Sequence, residues 1–111
     1  MNNEIVKVTL RCPIRTTTEL VGGKWKLLIL FQLSNQSFRL SDLKRQIPDI
    51  SEKMLIQELK TLIDSDLIKR EYSEDSPQRV EYKITDIGLK VLPLIGEMKN
   101  FADAYEQYQK R

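Results

Sequence analysis

Cysteine is the residue of this sequence with the greatest capacity for covalent chemistry, and it occurs once, as Cys12 in the stretch RCPIR. Pro13 suits the first position of a helix, because that position does not use the amide hydrogen that proline lacks. We therefore expect Cys12 at the N-cap, where the helix dipole and the flanking Arg11 and Arg15 favour the thiolate. The alternative is an inert buried thiol, since free cysteine often behaves as a small apolar residue.

The composition contains few of the residues that form catalytic and metal-binding sites. The 111 residues include no histidine, which removes the usual zinc ligand sets and the Ser-His and Cys-His nucleophile pairs. Carboxylates are numerous, but no pair is distinguished from ordinary surface charge. We expect no catalytic residues, no metal and no cofactor, and an enzyme is not predicted.

A second set of chemically capable side chains lies in the stretch ISEKMLIQELKTLID. Ser51 can cap this helix, and Leu55, Leu59 and Leu62 recur at the spacing of a buried stripe. The opposite face carries Lys53, Gln57, Lys60, Thr61 and Asp64. Such a face is either a solvated surface of mixed charge or a surface that reads DNA.

The DNA interpretation assigns a role to each side chain of that helix. Lysine and glutamine hydrogen-bond guanine and adenine edges, so Lys53 and Gln57 are candidates for base contacts, with Met54 at a thymine methyl. Ser51 and the helix N-terminus can bind a phosphate, and Lys60 is expected at the backbone.

Three further helices are predicted before this one. The first runs from Pro13 until Gly22 and Gly23 end it. A strongly apolar segment, KWKLLILFQL, follows and is predicted as the central helix of the core, with Trp25, Leu28, Ile29 and Phe31 around its circumference. Ser41 is a candidate N-cap for SDLKRQI, which Pro48 ends. Three cations on or beside that helix are expected to contact the DNA backbone: Arg39, Lys44 and Arg45.

The second half of the chain predicts a hairpin and a long helix. LIKREY and RVEYKIT flank a polar loop, which indicates a β wing at about residues 67–84, with Val80, Tyr82 and Ile84 packed and Arg79, Glu81 and Lys83 solvated. Arg79 is either a phosphate or minor-groove contact or a surface arginine that balances Glu81. Thr85 can cap a helix over about residues 86–109, which Pro93 should bend. Apolar residues repeat along it at spacings of four and three, as in a dimerisation seam: Ile87, Val91, Leu94, Met98, Phe101, Tyr105 and Tyr108.

This order of elements is typical of one α+β domain spanning residues 1–111, a winged helix-turn-helix with a two-stranded β wing and a long C-terminal dimerisation helix. In that fold the second helix of the motif enters the major groove. Between residues 39 and 60 the sequence contains five basic and four acidic side chains. This excess of one predicts weak DNA binding by a single subunit, and a second subunit would double the phosphate contacts.

Three stretches of the sequence resemble the signatures of HxlR-type regulators, which are bacterial winged-helix transcription factors. These stretches are CPIRTTTELVGGKW, ISEKMLIQELKTL and PQRVEYKITDIG. The resemblance implies a homodimer that binds a double-stranded DNA operator of two half-sites, more often as a repressor. It also implies that Cys12 can respond to electrophiles or oxidants. One departure is Asp66, where the family often has glycine; aspartate tolerates the turn conformation that glycine favours.

Two rival functions remain open from the sequence. The first is a winged-helix module for protein–protein contact that does not bind DNA. The second is a DNA-binding regulator that senses a small aromatic effector between the core and the dimer helices. No stretch reaches the roughly 18 apolar residues of a membrane span, and the charged first residues lack an export signal. We expect a cytoplasmic protein without a membrane partner.

Overall fold

Six helices and a two-stranded hairpin form the part of the chain that the structure, a computed structural model, describes, which is residues 6–75 and 79–111. In chain order the elements are α1 (Pro13–Val21), α2 (Lys26–Leu33), α3 (Leu40–Gln46), α4 (Glu52–Asp64), β1 (Ile68–Tyr72), β2 (Val80–Ile84), α5 (Asp86–Leu89) and α6 (Leu92–Gln109). This confirms the winged helix-turn-helix architecture that the sequence predicts.

The core lies where α2, α3 and α4 meet the hairpin. The leucines predicted as the buried stripe of α4, Leu55, Leu59 and Leu62, are all buried. They pack with Ile29, Leu30 and Leu33 of α2, Leu43 of α3, and Ile68 of β1. A non-directional apolar contact of this kind brings the three helices together and leaves their outer faces to solvent.

The prediction for α2 was wrong in which side chains face the core. Trp25 is the N-cap rather than a helical residue, and it is half-buried. Leu28 and Phe31, predicted in the core, are 47% and 46% exposed. A segment that is apolar all round shows no preferred side by sequence, so only the packing selects Ile29, Leu30 and Leu33 as the buried set.

The start of α3 also differs from the prediction. The helix begins at Leu40 and Arg39 occupies the N-cap, without a side-chain capping bond. Ser41 is therefore inside the helix. Phe38 pairs with Tyr82 of β2 through two backbone hydrogen bonds of 3.1 and 2.8 Å. This bridge fixes the chain direction just before the helix, so α3 starts as soon as the chain leaves the sheet.

The hairpin pairs Ile68 with Ile84 and Tyr72 with Val80 in antiparallel register. Tyr82 and Ile84 pack against the core, as predicted. Glu81 departs from the predicted solvated face and is half-buried, because its carboxylate accepts a 2.6 Å hydrogen bond from the hydroxyl of Ser37. This bond fastens the base of the wing to the segment before α3.

Two helices replace the single helix predicted over about residues 86–109. Thr85 is the N-cap, as predicted, and its hydroxyl accepts a 3.0 Å bond from the amide of Gly88, but α5 ends at Leu89. Pro93 lies in the first turn of α6 rather than inside a continuous helix. Proline cannot donate to the carbonyl four residues earlier, so the helix breaks and restarts at the position where proline is tolerated.

The corner between α4 and β1 places Asp66 at a φ of 62°. This is the left-handed region that favours glycine, and the prediction that aspartate would adopt it is confirmed. Among residues other than glycine in the described ranges, only Asp66 has a positive φ. The backbone at this corner therefore restricts which residue types can occupy position 66 without strain.

The molecule is elongated because α6 extends away from the core. Its principal extents are 52 × 36 × 23 Å and its radius of gyration is 16.4 Å, against about 13 Å expected for a compact chain of this length. No residue of α6 is buried. The exposed apolar residues of this helix form a surface that a partner can bury.

Candidate nucleic-acid interface

The helix-turn-helix consists of α3, the turn 47–51 and α4. Ile47 and Ile50 are buried in the turn and anchor it to the core. Lys44 donates a 3.2 Å hydrogen bond from its amine to the carbonyl of Pro48, which ties the end of α3 to the same turn. Ser51 caps α4 as predicted, and its hydroxyl accepts a 3.0 Å bond from the amide of Met54.

The outer face of α4 is exposed along its whole length. Lys53, Met54, Gln57 and Lys60 all lie on the solvent side, opposite the buried leucines. Within the described residues, neither Lys53 nor Lys60 takes part in an ion pair. The structure therefore leaves the candidate base-contacting side chains unengaged by their own chain.

The two arginines beside α3 share one carboxylate. Arg45 and Asp42 form an ion pair at 2.9 Å, and the Nε of Arg39 lies 3.6 Å from the other oxygen of Asp42. These ion pairs are exposed and therefore weak. They hold the guanidinium groups near α3, and a phosphate that replaced Asp42 as their partner would break them at little cost in free energy. An open polar depression of about 390 Å³ joins these residues to Ser37 and Glu81 at the base of the wing.

The wing carries two lysines that the sequence interpretation missed. Lys69 and Lys83 are directly opposite one another and both contact Glu71, at 3.1 and 3.5 Å. A hydrogen bond from Lys69, together with the charge of Lys83, holds the pKa of Glu71 below its ordinary value. Alternation along the second strand predicted Lys83 on the solvated face, but only the register shows that it lies opposite Lys69.

Arg79 is exposed just before β2, and its carbonyl accepts a 3.0 Å bond from the amide of Ser73. In the described ranges it forms no ion pair with Glu81, which is bonded by Ser37 instead. The position thus agrees with a free cation near the wing loop. The tip of that loop, residues 76–78, lies outside the described residues.

Cys12 occupies the predicted N-cap of α1, but its side chain makes no capping bond. The residue is only 3% exposed. The N-cap position is the predicted one, whereas the burial agrees with the alternative of an inert thiol. A reagent can reach this buried sulfur only after a local opening of the structure around Cys12.

Six of the seven residues predicted in the dimerisation seam are exposed. Phe101 is 71% exposed, and Tyr105 and Tyr108 also lie in solvent. The exception is Val91, which packs against the core of its own chain. Rings of Phe101, Tyr105 and Tyr108 follow one another along α6 with centroids 6.1 and 6.4 Å apart, so the distal part of the helix presents one continuous aromatic strip.

Comparison with known proteins identifies this arrangement. Residues 20–110 match the family model described as HxlR-like helix-turn-helix. Over 98 residues the chain is 40% identical to YkvN of Bacillus subtilis (strain 168), named as an HTH-type transcriptional regulator, and the match covers 88% of this chain and 83% of YkvN. The chain belongs to the HxlR-like helix-turn-helix family.

Solved structures agree with that assignment. A transcriptional regulator of the MarR family from Porphyromonas gingivalis W83 superposes on this HxlR-like chain with a TM-score of 0.79 at 47% identity, covering 86% of this chain and 94% of that one. The reduced form of the transcriptional regulator YodB from B. subtilis gives a TM-score of 0.75 at 31% identity, covering 84% and 92%. YodB also has quinone-bound and diamide-treated structures.

Membership makes this HxlR-like chain a helix-turn-helix transcriptional regulator of the DNA-binding type, as its resemblance predicted. No helix of the described ranges is long and apolar enough to cross a membrane. The same ranges contain no cluster of three or more potential metal-ligating side chains.

Proposed function

We propose that this chain acts as a homodimeric repressor that binds an operator of two half-sites, with α4 of each subunit in a major groove. The observation that carries the proposal is the free outer face of α4, which presents Lys53 and Gln57 opposite a fully buried stripe. A major groove about 12 Å wide admits one such helix.

Phosphate contacts in this proposal come from the edges of the motif. Arg39 and Arg45 flank α3, Ser51 lies at the N-terminus of α4, and Arg79 lies on the wing. Backbone amides at a helix N-terminus bind phosphate, and arginines bind it through two parallel hydrogen bonds. Lys60, one turn beyond Gln57, completes the set at the backbone.

The dimer is supported by the exposed apolar surface of α6. Met98, Phe101, Tyr105 and Tyr108 leave a hydrophobic strip in water, which a monomer rarely tolerates over this length. To read two half-sites one turn of DNA apart, the dimer must hold its two copies of α4 about 34–36 Å apart. Because a two-fold dimer repeats every phosphate contact, it also compensates for the small excess of basic side chains in one subunit.

Regulation through Cys12 forms part of the proposal. YodB is a relative with reduced, quinone-bound and diamide-treated structures, and HypR, at 28% identity, is described as a redox regulator in reduced and oxidised forms. Here a buried thiol at the start of α1 would react when the structure around it opens locally. Without a second cysteine in the chain, its products are an intersubunit disulfide, a mixed disulfide or an alkylated thiol.

A second candidate signal is a small aromatic effector. An apolar groove of about 770 Å³ lies between α2 and α6, and its walls include the unexpectedly exposed Leu28 and Phe31. Its size falls in the range of small-molecule sites. This signal can be separated from thiol chemistry by titrating wild type and Cys12→Ser with planar aromatic compounds while monitoring Trp25 fluorescence. Binding to an effector site should be the same in both proteins.

Selection of bound sequences from a random duplex pool tests the proposed function. We expect the wild-type chain to enrich two related half-sites with centres about one helical turn apart. A parallel selection with Cys12→Ser, both reduced and after treatment with a quinone, tests the regulatory part. Recovery of no common sequence, together with weak binding to heparin, would favour the module for protein–protein contact.

A further inference from the structure

One ion pair joins α4, the helix proposed to read DNA, to the N-terminus of α2. The amine of Lys26 lies 3.3 Å from both carboxylate oxygens of Glu58, and the two side chains are 15% and 12% exposed. The other ion pairs of the described residues lie within one helix or within the wing. Among the ion pairs of residues 6–75 and 79–111, it is the one that connects two helices, α2 and α4.

The position of Lys26 opposes the ordinary preference of a helix. It is the first residue of α2, whose first turn contains no acidic residue and whose N-cap makes no side-chain bond. A cation at this end is disfavoured by the helix dipole, whereas a carboxylate is favoured. The placement is compensated because Glu58, 32 residues later, brings its carboxylate to the amine of Lys26. Local rules broken in this way occur mainly where function requires them.

Glu58 follows Gln57 and lies beside the buried stripe of α4. The stripe of Leu55, Leu59 and Leu62 is apolar, so its attraction to the core is non-directional and restrains rotation about the helix axis weakly. A charge-assisted contact to both carboxylate oxygens is directional. We propose that Lys26, through its ion pair with Glu58, is a positioning residue that fixes the rotation of α4 and thereby its discrimination between DNA sequences.

The geometry of a helix gives the reason why rotation matters. A turn of about 15° about the axis moves atoms at the outer radius of about 5–6 Å by about 1.5 Å. Hydrogen bonds to base edges tolerate a spread of only about 0.5 Å. Contacts to phosphate by flexible lysines survive such a shift, so sequence discrimination should suffer more than general affinity.

The test compares two single variants, Lys26→Met and Glu58→Gln, on the duplex that the wild-type chain selects from a random pool and on a scrambled duplex of equal length. We expect each variant to lower the ratio of the two affinities by about tenfold or more. Lys26→Arg, which can keep the ion pair, and the reversed pair K26E/E58K should retain most of the ratio. Lys99→Met is the matched control, since it removes a lysine from the exposed pair with Asp103 in α6.

Two outcomes overturn the inference while the proposed function stands. If the pair acts only through charge, Lys26→Met weakens and Glu58→Gln strengthens binding to both duplexes, and the ratio stays unchanged. If the pair acts only on stability, the melting temperature falls and the ratio again stays unchanged below the transition. Since the inference rests on DNA reading by α4, a wild-type chain that selects no duplex overturns both, and this result is distinguishable from the other two. Should the reversed pair fail to fold, Lys26→Arg alone decides the rescue.

Discussion

Individual side chains on α4 are separable into those that hold the helix and those that are free to contact DNA. Leu55, Leu59 and Leu62 are almost fully inaccessible, whereas Lys53 and Gln57 are exposed and contribute little to the core. Substitution of an exposed residue usually changes the free energy of unfolding by less than about 0.5 kcal/mol. A loss of DNA binding at these positions would therefore report a lost contact.

The first prediction concerns Gln57 and Lys60. Gln57→Ala should reduce discrimination between the selected and a scrambled duplex by about 1–3 kcal/mol, because it removes the proposed base contact. Lys60→Ala should weaken binding to both duplexes alike and lower the slope of log affinity against log salt by about one unit, because it removes the proposed phosphate contact. Fluorescence anisotropy titrations at several salt concentrations measure both quantities. Equal behaviour of the two variants would contradict these assignments.

The second prediction concerns Cys12. Because the thiol is buried, its alkylation should be slow in the folded chain and accelerate in low concentrations of denaturant, which increase local opening. The Cys12→Ser variant should retain operator binding in the reduced state and lose the response to quinones and diamide. Mass spectrometry of the alkylated protein and gel shifts measure these effects. A full response in Cys12→Ser would rule out thiol sensing and leave the aromatic effector as the signal.

At the scale of elements, short-range bonds determine where each helix begins and ends. Ser51 and Thr85 cap α4 and α5 through their hydroxyl groups, and Asp66 turns the chain from α4 into β1 with its positive φ. The hydroxyl of Thr85 also donates to the carbonyl of Asp66 at 2.7 Å. The end of α4 and the start of α5 are therefore held together at this corner.

The third prediction tests this corner. Asp66→Val should lower the free energy of unfolding by about 1–2 kcal/mol, since a β-branched residue is disfavoured in the left-handed region. Asp66→Gly should be neutral or slightly stabilising, because glycine adopts this conformation without steric cost. Urea denaturation measures both. The control is Asp64→Val, at the exposed end of α4, which should cost less than Asp66→Val; an equal loss at both sites would indicate that the backbone conformation is not the cause.

At the scale of the whole molecule, the proposed homodimer would account for both the elongated shape and the exposed aromatic strip of α6. The core of α2, α3, α4 and the hairpin is complete within one subunit, but α6 leaves it with no buried residue. The sequence predicts weak DNA binding by one subunit, because basic side chains exceed acidic ones by only one between residues 39 and 60. The proposed dimer would cover the strip and double the phosphate contacts.

The fourth prediction follows from this division. The double variant F101E/Y105E should be monomeric, because it places two charges in the proposed interface, and it should retain the core and the helical circular dichroism. Its slope of log affinity against log salt should fall to about half that of wild type. Light scattering coupled to size exclusion measures the mass in solution. A wild-type chain that is monomeric at operating concentrations would contradict the dimer, independently of whether α4 reads DNA.

The sequence by itself determined the order of elements as far as the hairpin, the caps at Ser51 and Thr85, the left-handed Asp66 and the exposed polar face of α4. These features depend on spacing and on bonds between near neighbours, so residue types a few positions apart are sufficient to predict them.

The tertiary structure alone decided which side of α2 is buried, where α3 begins, that Cys12 is inaccessible and that Lys26 meets Glu58. Each of these depends on residues far apart in the chain. The bridge from Phe38 to Tyr82 sets the start of α3, and the pair of Lys26 and Glu58 spans 32 positions. The type of an apolar or charged residue does not identify its partner elsewhere in the chain, because burial and ion pairing arise only when packing brings the two surfaces together.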